Sequence, residues 1–127
     1  ILAIDQGTTS SRVVLYDLKF KIIDILQEEI NQYFLKDGWV EHDAIEIWLG
    51  IKKLISKILK KNQIVNSNIV SIGITNQRET TVLWNKKSGK PVSRAIVWQD
   101  RRTSSYCKKI ERKRSRKNNS KYYRISY

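Results

Sequence analysis

Residues 5 to 12 read Asp-Gln-Gly-Thr-Thr-Ser-Ser-Arg, an acid followed by a glycine, hydroxyl side chains and an arginine. Each of these has a use around phosphate. Gly7 lets the backbone approach an anion closely, the amides and hydroxyls of Thr8, Thr9 and Ser10 can donate to phosphate oxygens, and Arg12 can neutralise charge that develops there. Asp5 offers a hard oxygen that suits Mg2+, directly or through water. The glycine spacing is neither that of a Walker loop nor that of a dinucleotide fingerprint, both of which also require a following helix. On composition alone, a tight hairpin rich in turn residues accounts for the stretch equally well.

A second group follows the β-branched run at 69–75, where Asn76, Gln77, Arg78 and Glu79 stand in succession. At a strand end, Arg78 and Glu79 can both enter a cleft. There the guanidinium donates to hydroxyl oxygens and the carboxylate accepts hydroxyl protons, the pairing that recognises a small polyol. A solvated surface pair, contributing well under ~1 kcal/mol, is the other reading. Trp98 closes the run Ala-Ile-Val-Trp and could lay its ring on a polyol's carbon side or pack in the core. Core packing is the expectation for Trp39, Trp48 and Trp84.

The elements that must position these residues can be read from periodicity. Residues 1–6 and 10–17 form strand-like runs around the Gly-Thr-Thr turn, a hairpin, with a third extended stretch at 21–34. Asp43 followed by Glu46 is a capping-box variant that opens the series Ile47, Ile51, Leu54 and Ile58, predicting a helix from about Ala44 to Lys61. The run at 69–75 reads as a buried strand. Residues 80–85 and 91–98 read as a second hairpin around Lys-Lys-Ser-Gly, and Thr103 stands where it could cap a final short helix. Strands before and after one helix, with hairpins at each side, indicate an α/β domain with a mixed sheet.

The formal charge of +13 points first to nucleic acid, but the charge is unevenly placed. Residues 1 to 110 hold 18 Lys and Arg against 11 Asp and Glu, while the last 17 residues hold 7 against 1. An electrostatic arm at 108–124 is therefore the alternative functional class, although no nucleic-acid fold signature accompanies it. No apolar run approaches the ~20 residues of a membrane span, and Asp5 interrupts the only early apolar stretch, so neither a membrane partner nor a signal peptide is expected. The single cysteine, Cys107, cannot form an internal disulfide and is expected as a surface or core thiol. That fits a reducing cytoplasm.

Taken together, DQGTTSSR, GWVEHD with EIW, GITNQRETT and AIVWQDRRT resemble, in order and spacing, the glycerol kinases of the FGGY carbohydrate kinase family, from Ile1 to about Ile110. The resemblance implies a ribonuclease-H-like, actin-like ATPase fold, of which this chain holds an incomplete first domain. It also implies transfer of the ATP γ-phosphoryl group to glycerol. By the same resemblance Gly7, Thr8, Thr9, Ser10 and Arg12 contact nucleotide phosphates and Asp5 is the acid on the Mg2+ side. Arg78, Glu79 and Trp98 contact glycerol. Related xylulose kinases carry a Gln-Met-His stretch where this chain has its Arg-Glu pair, which narrows the substrate to glycerol.

The chain departs from the family in what it lacks. Such kinases are several times longer, and the remainder carries a Tyr on glycerol, the Asp that serves as catalytic base and the adenine-binding domain; full-length members oligomerise. One wall of a cleft cannot run a transfer that depends on positioning from both sides, so the chain alone is expected to be inactive. No initiating Met is present, suggesting a trimmed N-terminus. The basic segment 111–127 fits neither the family nor a stable amphipathic helix. One back-translation of it, shifted by a single base, reads Gly-Leu and then Asn-Ile-Thr-Gly-Leu, as the family does, so a reading-frame slip near Ile110 and Glu111 is the expectation.

Overall fold

The computed structural model describes residues 1–117. The final ten residues of the basic segment, 118–127, lie outside the described residues.

The first hairpin forms as read, β1 at Leu2–Gln6 and β2 at Ser10–Tyr16, paired antiparallel with Ile4 opposite Val13 and Asp5 opposite Arg12. β3 at Ile22–Glu29 extends it on the other side of β2, and Gln27 comes opposite Arg12. Side chains alternate across a strand, so one face of this ribbon carries Leu2, Ile4, Val13 and Leu15, all buried. The same alternation places Asp5, Arg12 and Gln27 on the opposite face.

Helix α1, Ala44–Lys61, closes the apolar face with Leu54, Ile58 and Leu59. Its start is fixed by Asp43, whose Oδ1 accepts from the backbone amides of Ile45 at 2.8 Å and Glu46 at 3.2 Å. The reciprocal half of a capping box is absent, because the Glu46 carboxylate accepts from the Tyr33 hydroxyl at 2.6 Å and from Asn31 at 3.2 Å. That strong bond raises the Tyr33 pKa. At the other end Lys60 and Lys61 meet the negative end of the helix dipole, and Lys61 Nζ lies 2.8 Å from Asp24 on β3.

After α1 the chain returns as β5, Ile72–Asn76, parallel to β1, giving a sheet of order β3-β2-β1-β5. The expectation of a buried strand does not hold here. Ile72 is 55% and Ile74 72% exposed, because α1 lies over β2 and β3 and leaves β5 uncovered among the described residues.

The second hairpin is also looser than its sequence suggests. Thr81 bridges Ile96 and Trp84 bridges Pro91 around a turn in which Asn85 Oδ1 accepts from the amides of Lys87 and Ser88. Pro91 has no N–H for a ladder. The regular pairing is instead between β4, Glu41–His42, and β6, Ala95–Ile96. Two tryptophans expected in the core are exposed, Trp48 on α1 and Trp84 in this hairpin. Trp39 is half-buried beneath the Arg102 guanidinium, 3.8 Å from its ring centroid.

Helix α2, Ser104–Lys117, runs past Ile110 into the basic segment, so the first seven residues of that segment are helical. Lys and Arg are good helix formers even without an apolar stripe. The backbone carbonyl of Thr103 accepts from Cys107 N at 2.9 Å, and Cys107 is exposed. Every residue from Thr103 to Arg112 is exposed. Removing residues 111–127 is therefore expected to change stability by less than about 0.5 kcal/mol, read as an unchanged urea midpoint. Tight, salt-dependent DNA binding that disappears with the deletion would instead favour the electrostatic-arm reading.

Candidate functional site

β1 and β5 run parallel, with Gln6 opposite Asn76, so their C-terminal ends open at one edge of the sheet. In sheets with parallel strands this edge is where ligands gather. The two loops that leave it are stitched together by a bond of 2.7 Å from Gln77 N to the carbonyl of Gln6.

The first loop is a tight turn. Gly7 N donates to Ser10 O at 3.0 Å, and a Cβ on Gly7 would stand 3.1 Å from that carbonyl, closer than a side chain comfortably sits. Below it, the buried Ser11 hydroxyl donates to Gln6 Oε1 at 2.7 Å and Gln6 Nε2 donates to Gly7 O at 3.1 Å. Ile30 N donates to Thr9 O at 2.9 Å, holding the turn against the start of the segment after β3.

Two groups of polar side chains extend from this turn. On the sheet face away from α1, Arg12 Nε donates to Gln27 Oε1 at 3.0 Å and Gln27 Nε2 donates to Ser10 Oγ at 3.1 Å, while Arg12 Nη1 lies 4.0 Å from Asp5. Asp5 and Arg12 are both about half exposed, so the cluster is open to a solute. Among the described residues no three His, Cys, Asp or Glu side chains come together around Asp5.

The second group lines a cleft of about 340 Å³ between the two loops, formed by Thr8, Asn76, Gln77, Arg78, Glu79 and Trp98. That size lies at the small end of ligand sites. Trp98 Nε1 donates to Thr8 Oγ1 at 2.9 Å, bridging residues 90 positions apart and turning an exposed indole face along the cleft wall. Glu79 holds a left-handed backbone, φ 64°, which costs a non-glycine residue on the order of 1 kcal/mol or more, and it stands between Gln77 and Thr80, whose side chains are hydrogen-bonded at 2.9 Å.

Trp98 is anchored from behind. Val97 N donates to Val40 O at 3.0 Å, and Val40 N donates to Asp100 Oδ2 at 2.7 Å. Arg102 reaches Asp100 at 2.8 Å and Glu41 at 2.7 Å, so a nearly buried guanidinium satisfies two nearly buried carboxylates. The Arg102 hydrogen bonds, assisted by the amides of Val40 and Arg102, hold the Asp100 carboxyl down at about 2, and the two carboxylates raise the Arg102 pKa in turn.

Of the residues singled out by type and spacing, Thr8, Arg78, Glu79 and Trp98 thus share one cleft, and Asp5, Ser10 and Arg12 share the open face. Gly7 shapes the turn between them. Thr9 contributes its carbonyl to the backbone, with its side chain exposed. Gln27, which joins Ser10 to Arg12, was not singled out; only the β2–β3 register reveals it. Nor was the Glu41–Arg102–Asp100 anchor, whose members lie up to 61 positions apart.

The model for the N-terminal domain of the FGGY family of carbohydrate kinases matches residues 1–126. The chain is 50% identical over 113 residues to the glycerol kinase of Rhizobium meliloti, covering 89% of this chain and 23% of that protein. It is 56% identical over 108 residues to the glycerol kinase of Alteromonas mediterranea, covering 85% and 22%. Among solved structures it is similar to Plasmodium falciparum glycerol kinase with ADP, at TM-score 0.82 and 38% identity, covering 88% of this chain and 22% of that one. The ligand-bound xylulose kinase of Lactobacillus acidophilus shares the fold, at TM-score 0.80 and 20% identity over 88% of this chain and 22% of that one. The chain therefore spans less than a quarter of the length of these relatives. A sheet of order β3-β2-β1-β5 with α1 on one face, together with the match of the N-terminal-domain model over residues 1–126, shows that the chain belongs to the FGGY family of carbohydrate kinases.

Proposed function

We propose that this chain supplies the phosphate turn and the polyol-binding wall of an ATP-dependent glycerol kinase. The observation that carries the reading is the shared cleft, in which Thr8 of the phosphate turn touches Trp98 beside Arg78 and Glu79. Phosphoryl transfer requires the nucleotide's terminal phosphate and the acceptor hydroxyl to be held together, and this geometry juxtaposes a phosphate-type loop with a hydroxyl-type pair.

In this reading the Arg78 guanidinium donates to glycerol oxygens, the Glu79 carboxylate accepts hydroxyl protons, and the Trp98 ring covers the carbon side. The left-handed Glu79 backbone fixes the direction in which its side chain leaves the loop. Thr8, Thr9 and Ser10 offer amides and hydroxyls to nucleotide phosphate, Gly7 lets the backbone approach it closely, and Arg12 offers charge. Asp5 would hold Mg2+, and as a single half-exposed carboxylate it fits that ion's habit of keeping waters and phosphate oxygens for its other positions. When bound, the ion would offset phosphate charge.

The chain spans less than a quarter of its relatives' length and offers one wall for a transfer that needs positioning from both sides, so the chain alone is expected to show no glycerol-dependent ATP consumption. Glycerol titrated into the 15N-labelled chain is expected to shift the amides of Arg78 and Glu79 and the Trp98 indole N–H, and to leave the β2–β3 ladder unmoved. Turnover that co-purifies with the chain and vanishes on Arg78→Ala would sink the first statement. A glycerol response confined to residues outside the cleft would sink the second.

A further inference from the structure

His42 lies in β4 with 0% exposure, and neither phosphate nor polyol chemistry assigns it a task. Its Nδ1 is 3.2 Å from Gln77 Nε2. The other end of that amide, Gln77 Oε1, accepts from the Thr80 hydroxyl at 2.9 Å. An amide NH2 can only donate, so Nδ1 presents its lone pair and the ring proton resides on Nε2. That Nε2 is buried and has no hydrogen-bond partner among the described residues. A buried donor left unmatched is costly, so the polar contact that the ring does make is the one at Nδ1.

What Nδ1 does is hold Gln77, the residue immediately before the Arg78–Glu79 pair. Gln77 is thus tied to His42 and Thr80 through its side chain and to the Gln6 carbonyl through its backbone N–H, and its own carbonyl accepts from Asn76 Nδ2 at 3.0 Å. The loop bearing the left-handed Glu79 therefore rests on a buried imidazole on one side and on the phosphate-turn strand on the other.

We infer that His42 is a positioning residue for the Arg78–Glu79 loop, acting through the Gln77 amide, and that the loop's conformation follows the proton occupancy of this buried ring. The functional consequence rests on the polyol reading of that loop; the coupling itself does not.

A proton on Nδ1 would place two donors against each other across the His42–Gln77 contact. Either the amide turns over or the loop moves, and both alter residues 77–80. Burial opposes that state and pushes the His42 pKa below its ordinary value of 6.5. The charged groups on the surrounding elements are otherwise engaged. On β4, Glu41 is held by Arg102; before and on α1, Asp43 caps the helix and Glu46 accepts from Tyr33; beside β6, Arg94 lies over the Tyr33 ring. On the loop itself, Arg78 and Glu79 are exposed. Because the folded ring binds its proton more weakly than the unfolded one, this contact's stability is present above pH 6.5 and is lost as pH falls below it.

The test is NMR on the full chain between pH 8 and 5. At pH 7 long-range 1H–15N correlations are expected to show a neutral ring with its proton on Nε2. On acidification the amides of Gln77 to Thr80 are expected to shift with the His42 midpoint, below 6.5, while those of Val13 and Leu26 stay fixed. Gln77→Met should uncouple the loop from the ring. Gln77→Glu, which places an acceptor against Nδ1, should raise the His42 midpoint above 6.5, a reversal that simple packing would not produce. Both changes are at a half-buried position, so the test does not depend on a His42 variant folding. A proton on Nδ1 at pH 7, loop amides that ignore the His42 titration, or an unmoved midpoint in Gln77→Glu would overturn the inference. Coupling that persists in a chain showing no response to glycerol would overturn the polyol reading and leave the positioning role standing.

Discussion

Grafted in place of the matching segment of the Rhizobium meliloti glycerol kinase, residues 1–110 of this chain are expected to support glycerol-dependent ATP turnover, and Glu79→Ala or Arg78→Ala to reduce kcat/KM by about 10- to 150-fold each. The magnitude follows from the ~1.5–3 kcal/mol carried by a hydrogen bond to a charged group, at a tenfold change in rate per ~1.4 kcal/mol. Either partner's loss leaves glycerol hydroxyls facing a cleft with one fewer charged contact. The left-handed Glu79 backbone adds a second prediction within the first. Glu79→Gln keeps that backbone and one acceptor oxygen, so it should fall between the parent and Glu79→Ala. Trp98→Ala removes both the aromatic wall and the bond to Thr8, and should weaken glycerol use while also loosening the phosphate turn. Initial-rate kinetics with glycerol varied at saturating ATP provide the check. An Arg78→Ala chimera within twofold of its parent would remove that residue from the polyol site.

Arg102→Ala is expected to destabilise the chain by about 3–5 kcal/mol, because it leaves Glu41 and Asp100 as two nearly buried carboxylates without their shared cation. Out of the ~5–15 kcal/mol that typically hold a domain together, that is a large share. Arg102→Lys should recover only part of it, since an ammonium cannot reproduce the forked contact to both carboxylates and loses the stacking on Trp39. The pH dependence has a definite sign. Asp100 is held at about 2 against an ordinary 3.8, chiefly by its hydrogen bonds from Arg102. Its contribution is fully present above pH 3.8 and disappears as pH falls from there toward 2. The gap in urea midpoint between the parent and Arg102→Ala should therefore be wide at pH 7, begin to shrink below pH 3.8 and be narrow near pH 2. A constant gap across that range would mean that the arginine acts by packing on Trp39 rather than through Asp100.

Both predictions turn on contacts between residues far apart in the chain, and the division between local and distant explains what could be read beforehand. The β1–β2 hairpin, α1 with its Asp43 cap, and the placement of Asp5 and Arg78–Glu79 at strand ends are legible in the residue order. In each case the information is local: period-2 and period-3.6 alternation, a cap oxygen within reach of the next amides, a glycine where a side chain would meet a carbonyl. The order in which the motifs occur was enough to suggest the family. Tertiary structure alone decided which residues meet. Only the register of three strands brings Gln27 to Arg12 and Ser10, and only the parallel pairing of β5 with β1 brings Gln77 to Gln6 and the Arg78–Glu79 loop to the turn at Gly7–Ser10. Burial was misread for the same reason. Ile72 and Ile74 have the pattern of a core strand, and Trp48 and Trp84 the size of core residues, but exposure depends on what another element covers, and α1 covers β2 and β3 instead. His42 shows this most clearly. Its neighbours in sequence are a carboxylate and a helix cap, while its role comes from an amide 35 positions away that only the folded chain places against its ring.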